Sequence, residues 1–516
     1  MLATTLHGAV KRFGDIDAVV APDGQLSFRE LERRSIDLAA GLRSRGVGEG
    51  DLVALLLPSG AEWMIAAVAI DRIGGIVAGV SPRLASTERA ALVTMLQPKV
   101  TIASTSLTDG LPLRSSVLAT RTGALGADIG DEGAHPADVD APAAMRNDPA
   151  RPSLVCCTSG TTGRPKGALF NVAQLRAISE IDVGPEFEDV WGGGAPMLAS
   201  TEFAHIGMVG KLPWYIRLGA TLVVMERWRP DDALQLVDRH RMPVLGVVAP
   251  QLALMLQSPR FDEFDLSCVR TVIAGGAPSP PALVLEATRR LGCDYSIRYS
   301  STESGGVGLA TPADADERQA TRTIGRPRPG VEARVARDDG TDASVSEVGE
   351  LQIRSAANMA GYWNQPDATD DTVTGDGWLR TGDLAVLDTT GCFTLAGRRT
   401  DMFIRGGYNV FPEEVEAVLG QHPAVAQVAV APRPDDVLGE IGVAVVVPTS
   451  RTAPPTLDEL REFGRHDLAH HKLPDAVIVV DDLPLTAASK MDRPALRVLV
   501  GAPPLHSEPP PAEGMV

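Results

Sequence analysis

Thr158-Ser159-Gly160-Thr161-Thr162-Gly163-Arg164-Pro165-Lys166-Gly167 follows directly on the apolar run Leu154–Cys157. The run reads as a buried strand, and the segment after it as a loop of hydroxyls and glycines closed by a lysine. Glycine lets a ligand come close to the backbone, the N–H and O–H groups can wrap a polyphosphate, and the lysine supplies a mobile positive charge. A solvated loop would also be rich in Ser, Thr and Gly. It would not account for the lysine, because lysine is scarce here: Lys11, Lys99, Lys166, Lys211, Lys472 and Lys490 stand among 48 basic residues. A Walker A loop is excluded, since it needs Gly-Lys-Ser/Thr, whereas Lys166 follows Pro165 and precedes Gly167.

Working outward, strand and helix periods alternate on both sides of this loop. Leu31, Leu38 and Leu42 share a helix face that should end near Gly46; 51–57, 75–80 and 100–103 read as strands, and 61–73 and 87–96 as helices. Apolar runs at 221–225, 244–249 and 271–274 continue the pattern, which predicts mostly parallel sheets covered by helices. Residues 108–150, rich in Ala, Gly, Asp and Pro, read as a surface excursion. Short strands at 331–336, 349–353 and 393–395 mark a small β subdomain over about 325–396. Beyond it the alternation resumes on a smaller scale: a helix at 412–419 with Pro and Glu in its first turn, strands at 425–430 and 441–447, a helix at 457–470 and a strand at 476–480. Residues 503–516, with a run of prolines, are expected to be a disordered tail.

At 516 residues the chain is too long for one core, and 44% hydrophobic with 22% charged residues suits a soluble globular protein. The net charge of −18 opposes broad nucleic-acid binding. No apolar run is long enough to span a membrane, and no secretory signal is recognisable. Five cysteines without a CxxC pattern read as buried reduced thiols of a cytoplasmic protein.

Residues 158–167 resemble the signature of the adenylate-forming superfamily, which holds acyl-CoA synthetases, peptide-synthetase adenylation domains and firefly luciferase. Further motifs follow in that family's order: Ala274-Gly275-Gly276-Ala277-Pro278; Tyr299-Ser300-Ser301-Thr302-Glu303, similar to YGxTE with Ser300 for its glycine; Gly349-Glu350-Leu351 with Gly361-Tyr362-Trp363-Asn364; Gly377 through Asp383; Gly397-Arg398 through Gly406-Gly407 to Glu416; and Pro484 through Lys490, with Ser489 for a glycine. The resemblance covers nearly the whole chain. It implies an α/β protein with a large N-terminal AMP-binding domain (1–399) of helix-covered, mostly parallel sheets plus the β subdomain, and a smaller mobile α+β C-terminal domain (400–502).

The activity it implies is ATP-dependent activation of a carboxylic acid to an acyl-adenylate, then transfer to coenzyme A, giving acyl-CoA, AMP and pyrophosphate. Thr158, Ser159, Gly160, Thr161, Thr162, Gly163 and Lys166 would hold the β- and γ-phosphates. Gly275, Gly276, Ala277 and Pro278 would contact adenine, and Tyr299 would stack on it, with Ser300 and Ser301 beside it. Thr302 would donate to the α-phosphate, Glu303 would carry Mg2+, and Asp383 with Arg398 would bind the ribose. Lys490 would bridge the carboxylate and the α-phosphate. Gly406 and Gly407 would admit the pantetheine arm of CoA. Thr400 stands at the hinge, where many relatives carry Asp or Lys. His205, Gly207, Gly305 and Gly306 fall in the acyl pocket, His205 reading equally as a gate and as a satisfied core histidine. The apolar, glycine-lined segments suit a fatty or related bulky hydrophobic acid. Two other readings stay open: an acyl-AMP ligase loading a carrier protein, and a non-catalytic nucleotide-binding homologue. The oligomeric state is left open, a homodimer included.

Overall fold

In the computed structural model the described residues are 1–112, 116–120, 124–125, 139, 148–158, 165–225, 227–312, 315–398, 401–405, 408–435, 437–486 and 491–502. They form a large mixed α/β assembly with several sheets and a smaller C-terminal α+β portion. Two compact units emerge: residues 1–333 with 352–381, and residues 334–351 with 382–516.

The first unit is built on three sheets. Its largest has the strand order Gly361–Tyr362, Lys166–Asn171, Pro152–Thr158, Ile76–Gly79, Leu52–Leu56, Val100–Ser104, Ser116–Thr120. The last five of these run parallel, while Lys166–Asn171 turns back antiparallel on Pro152–Thr158 and takes Gly361–Tyr362 as its own antiparallel neighbour. The second sheet orders Val244–Val247, Thr271–Gly275 and Asp294–Tyr299 in parallel, then adds the short antiparallel strands Leu309–Ala310 and Arg326–Pro327. The third pairs Gly24–Ser27, Asp17–Ala21, Thr221–Val224 and Pro196–Ala199.

Sequence periodicity left several of these strands unmarked, the following among them. The hairpin Asp17–Ala21/Gly24–Ser27 turns on Pro22-Asp23, and its strands are too short to show an alternation. Ser116–Thr120, inside the expected surface excursion, is an edge strand whose ladder is supplied by Val100–Ser104.

Helix Ala61–Arg72 lies in the core of this unit, every residue of it buried, which is why residues 63–70 are apolar on all sides and charges stand only at its two ends. Of the charges it carries, Asp71 is matched by cations. Asp71, 1% exposed, takes hydrogen bonds from the Met1 amino group and the Ala3 N–H, and an ion pair from Arg151 at 2.7 Å. Burial works against the charged form of Asp71, but these cationic partners hold its carboxyl well below the usual range.

In the second unit, Gly439–Pro448 pairs antiparallel with Val425–Asp435 and Phe403–Arg405 and parallel with Ala476–Val479. Helices Pro412–Leu419 and Leu457–Gly464 cover this sheet through Val415, Leu419 and Leu460, which share a core with Val430 of the strand Val425–Asp435. Thr456 and Glu459 cap the second helix reciprocally. That helix ends six residues before the expected His470. At Gly464 the chain turns, with Leu468 N–H bonding back to the Gly464 carbonyl, so that Leu468 and Leu473 reach the core. Among the described residues no helix is long and apolar enough to cross a membrane.

Asp71→Ala would leave the Arg151 guanidinium buried without its carboxylate. The expected loss is about 3–5 kcal/mol of unfolding free energy, read from a urea titration at pH 7. In the unmutated protein the Asp71 contribution is present at neutral pH and disappears as pH falls through the depressed carboxyl pKa.

Candidate active site

The loop 159–164 lies outside the described residues, but both of its ends are fixed. Thr158 and Lys166 are direct partners across the antiparallel pair, so the lysine stands at the mouth of a closed hairpin. Strand pairing then brings in Tyr362, which faces Ala168. Lys166 Nζ sits 4.7 Å from the centre of the Tyr362 ring, a cation–π contact. The Tyr362 hydroxyl donates to Glu303 Oε1 at 2.9 Å. Burial first, and the Glu303 charge next, raise the Tyr362 phenol, so it keeps its proton and remains a donor. Backbone bonds hold the same three segments together: Trp363 N–H to the Gly167 carbonyl at 2.7 Å, Met359 N–H to the Glu303 carbonyl at 2.7 Å, and Ala360 N–H to the Leu169 carbonyl at 2.8 Å. Sequence reading quoted Tyr362 within a motif and gave it no role, since nothing in the chain order places its hydroxyl on residue 303.

Glu303 belongs to a loop at the C-terminal edge of the second sheet. Thr271–Gly275 and Asp294–Tyr299 run parallel with Gly275 opposite Arg298, so 275–278 and 299–303 leave the sheet side by side. Open α/β sheets bind ligands at this edge. The Ser301 and Ser304 hydroxyls each accept the other's backbone N–H, at 3.1 and 2.9 Å respectively, which shapes the turn. Gly305 and Gly306 follow with φ of +75° and +70°, a left-handed pair suited to glycine. A Cβ on Gly305 would come within 2.6 Å of the Ala357 carbonyl oxygen. Tyr299 is largely buried. His205 directly precedes helix Ile206–Val209 without a side-chain capping bond, and its side chain is 43% exposed, which removes the core-histidine reading.

Glu303 suits a hard cation. Tyr362 holds one carboxylate oxygen, and one carboxylate completed by phosphate and water oxygens is an ordinary magnesium arrangement. Among the described residues no cluster of three or more His, Cys, Asp or Glu offers an all-protein alternative.

In the second unit Asp383 and Arg398 are partners across the pair Leu379–Leu387/Phe393–Arg398, with Arg398 Nε donating to Asp383 Oδ1 at 2.9 Å. Asp383 is mostly buried and Arg398 half exposed. Thr400, Gly406, Gly407 and Lys490 lie outside the described residues. Arg493 lies between Glu416 at 2.6 Å, Glu413 at 3.2 Å and Asp401 at 3.6 Å. One cation cannot serve three carboxylates equally. Glu413, whose Oε2 is buried without a hydrogen-bond partner next to Gly397, is pushed up to about 7, mainly by burial. Cys157 is pushed up to about 12 by burial, and all five cysteines are free thiols.

A glycine and hydroxyl hairpin closed by a lysine, and a carboxylate loop at the edge of a parallel sheet, define a nucleotide-binding α/β enzyme. The chain belongs to the AMP-binding enzyme family, which matches residues 6–363; the AMP-binding enzyme C-terminal domain matches 414–490. It is 31% identical over 496 residues to indoleacetate–CoA ligase of Aromatoleum aromaticum, covering 94% of this chain and 95% of that one. It is 32% identical over 511 residues to a 3-[(3aS,4S,7aS)-7a-methyl-1,5-dioxo-octahydro-1H-inden-4-yl]propanoyl:CoA ligase of Mycobacterium tuberculosis, covering 96% and 98%. Among solved structures it is similar to o-succinylbenzoate CoA synthetase (MenE) from Bacillus subtilis in complex with the acyl-adenylate intermediate OSB-AMP. That match has a TM-score of 0.80 and 26% identity, over 96% of this chain and 97% of the other. An ATP-bound RpMatB-BxBclM chimera gives a TM-score of 0.84 at 25% identity, over 97% and 99%. The protein is therefore an enzyme of the adenylate-forming ligase class, with that class's acyl-adenylate chemistry and its use of ATP and Mg2+.

The Glu413 carboxyl carries a sign that can be measured. Its folded pKa lies above its ordinary 4.5, so the folded state holds the extra proton, and stability falls as pH rises from about 4.5 to 7 and then levels off. Glu413→Gln should remove about 2–3 kcal/mol of that fall, seen in the melting of the full chain at pH 5 and pH 8.

Proposed function

We propose that the protein is an AMP-forming acid–CoA ligase acting on a hydrophobic carboxylic acid. The observation that carries this reading is the Tyr362 bridge, which holds the Lys166 ammonium and the Glu303 carboxylate at fixed places beside the glycine-rich hairpin. The curated relatives named above act, by their names, on indoleacetate and on a fused-ring propanoate, both bulky carboxylates, which supports the choice of substrate.

The reaction brings two anions together, a carboxylate and the α-phosphate of ATP, so positioning and charge neutralisation carry most of the catalysis. Loop 158–163 and Lys166 would grip the β- and γ-phosphates. Thr302 would donate to the α-phosphate, while 275–278 and Tyr299 would hold adenine. Asp383 would accept from the ribose hydroxyls, with Arg398 orienting its carboxylate. Glu303 would hold Mg2+, which supplies charge neutralisation to the phosphate oxygens when bound. Lys490 would bridge the attacking carboxylate and the α-phosphate as pyrophosphate departs. His205, Gly207, Gly305 and Gly306 would line the acyl pocket. After rotation at Thr400, Gly406 and Gly407 would admit the pantetheine arm, whose thiol displaces AMP from the acyl carbonyl.

An ATP- and CoA-dependent screen over acids of graded length and ring content, read as acyl-CoA by mass, tests the reading. Acyl transfer to a holo carrier protein without acyl-CoA would replace it by the carrier-loading alternative; ATP binding without pyrophosphate exchange on any acid would replace it by the non-catalytic one. Lys490→Ala should lower acid-dependent pyrophosphate exchange by about 10²–10³. Tyr362→Phe, which deletes one hydrogen bond to a charged group, should lower kcat/KM for ATP by about 10-fold to 100-fold in the same assay.

A further inference from the structure

Arg298 is a half-buried cation that the mechanism above leaves unused. It sits on strand Asp294–Tyr299 directly before the loop that carries Thr302 and Glu303. Its parallel-strand partner is Gly275, where a Cβ would lie 3.5 Å from the Arg298 Cβ; the glycine leaves that flank of the arginine uncovered. The guanidinium Nε is buried and has no hydrogen-bond partner, and no ion pair closes on the group among the described residues.

The charges around it do not balance. Arg328 and Asp182 both act on Arg298 electrostatically. Asp182 is already engaged, with Lys211 Nζ at 3.0 Å and with Arg328. Three cations thus surround one committed carboxylate, and an arginine cannot shed its proton to relieve the imbalance. A half-buried charge whose Nε has lost water without gaining a partner is stabilised when an acceptor arrives to pair with it.

That something would come from the acyl side. Asp182 lies one helical turn after Ile178 on Val172–Val183, and Ile178 packs 3.0 Å from where a Gly305 Cβ would stand. Arg328 N–H bonds to the Gly308 carbonyl at 3.1 Å, and a Gly306 Cβ would meet Ile206 and Gly207 at 3.4 and 3.6 Å. The cationic cluster therefore borders the glycine-lined segments assigned to the acyl pocket.

We propose that Arg298 is a specificity-determining residue, and that the preferred acid is hydrophobic but carries a second acceptor oxygen, on a carboxylate or a ketone, away from the reacting carboxylate. This rests on the acid-ligase reading. Planar paired donors suit either oxygen, and the uncompensated charge favours the carboxylate.

The test uses matched triplets of acids with the same carbon skeleton, ending in a methyl group, a ketone or a second carboxylate, over a range of lengths and including ring-bearing members. Acyl-CoA formation and acid-induced thermal shifts are measured for the unmutated protein and for Arg298→Leu and Arg298→Lys. The expected result is a preference of about 10-fold or more in kcat/KM for an acceptor-bearing acid over its methyl counterpart, since sites built to hydrogen-bond a substrate group discriminate strongly against its absence. Arg298→Leu should abolish that preference with the KM for ATP unchanged, and Arg298→Lys should keep part of it. The melting temperature of Arg298→Leu without ligand should be equal or higher, because no native partner is lost. A lower melting temperature together with equal losses on all three acids, or a raised KM for ATP, would overturn the proposal, as would triplets handled equally by the unmutated protein. If no acid yields acyl-CoA yet acceptor-bearing acids still shift the melting temperature through Arg298, the ligase reading fails and the binding inference stands.

Discussion

The chemistry depends on a short antiparallel contact. Gly361–Tyr362 adds to the strand that carries Lys166, and by doing so sets one phenol between an ammonium and a carboxylate that lie 137 positions apart in the chain. Lys166 alone on a glycine-rich hairpin would be a mobile charge, and Glu303 alone on a turn would be one more acidic residue in a chain of net charge −18. With the Tyr362 ring and hydroxyl between them, both are restrained in direction. The backbone bonds from 359, 360 and 363 add to that restraint independently of the side chain.

Charge withdrawn wholly or partly from water is handled differently in three places, and the differences separate structural groups from functional ones. Asp71 is matched by Arg151 and the Met1 amino group, which makes it part of the scaffold. Glu413 is one of three acids around Arg493 and gives way by holding its proton. Arg298 has neither remedy, because its guanidinium stays charged and the nearby carboxylate is taken. A fold tolerates such a residue most readily where a ligand completes it.

The motif residues were legible because their chemistry is local. Hydroxyls, glycines and a lysine in one loop, or a carboxylate closing a strand-edge turn, can be recognised without knowing what lies opposite. Long apolar runs such as 61–73 were equally plain, since a helix buried on every side has no polar face to confuse its period. The hairpin at Asp17–Ser27 and the edge strand Ser116–Thr120 were not, because strands of four or five residues draw their stability from the neighbour that pairs with them. The helix from Leu457 was read too long because polar and apolar residues continue at suitable spacing past Gly464, whereas the core draws Leu468 back.

By itself the sequence determined the class of chemistry: its order of loops, each with a charge and the glycines needed for close approach, admits a nucleotide and an acid. Only the tertiary structure decided which of those charges are partnered. Pairing depends on which strand lies beside which, as Tyr362 beside Ala168, Gly275 beside Arg298 and Asp383 beside Arg398. Such register arises from contacts between distant segments, and no local spacing encodes it.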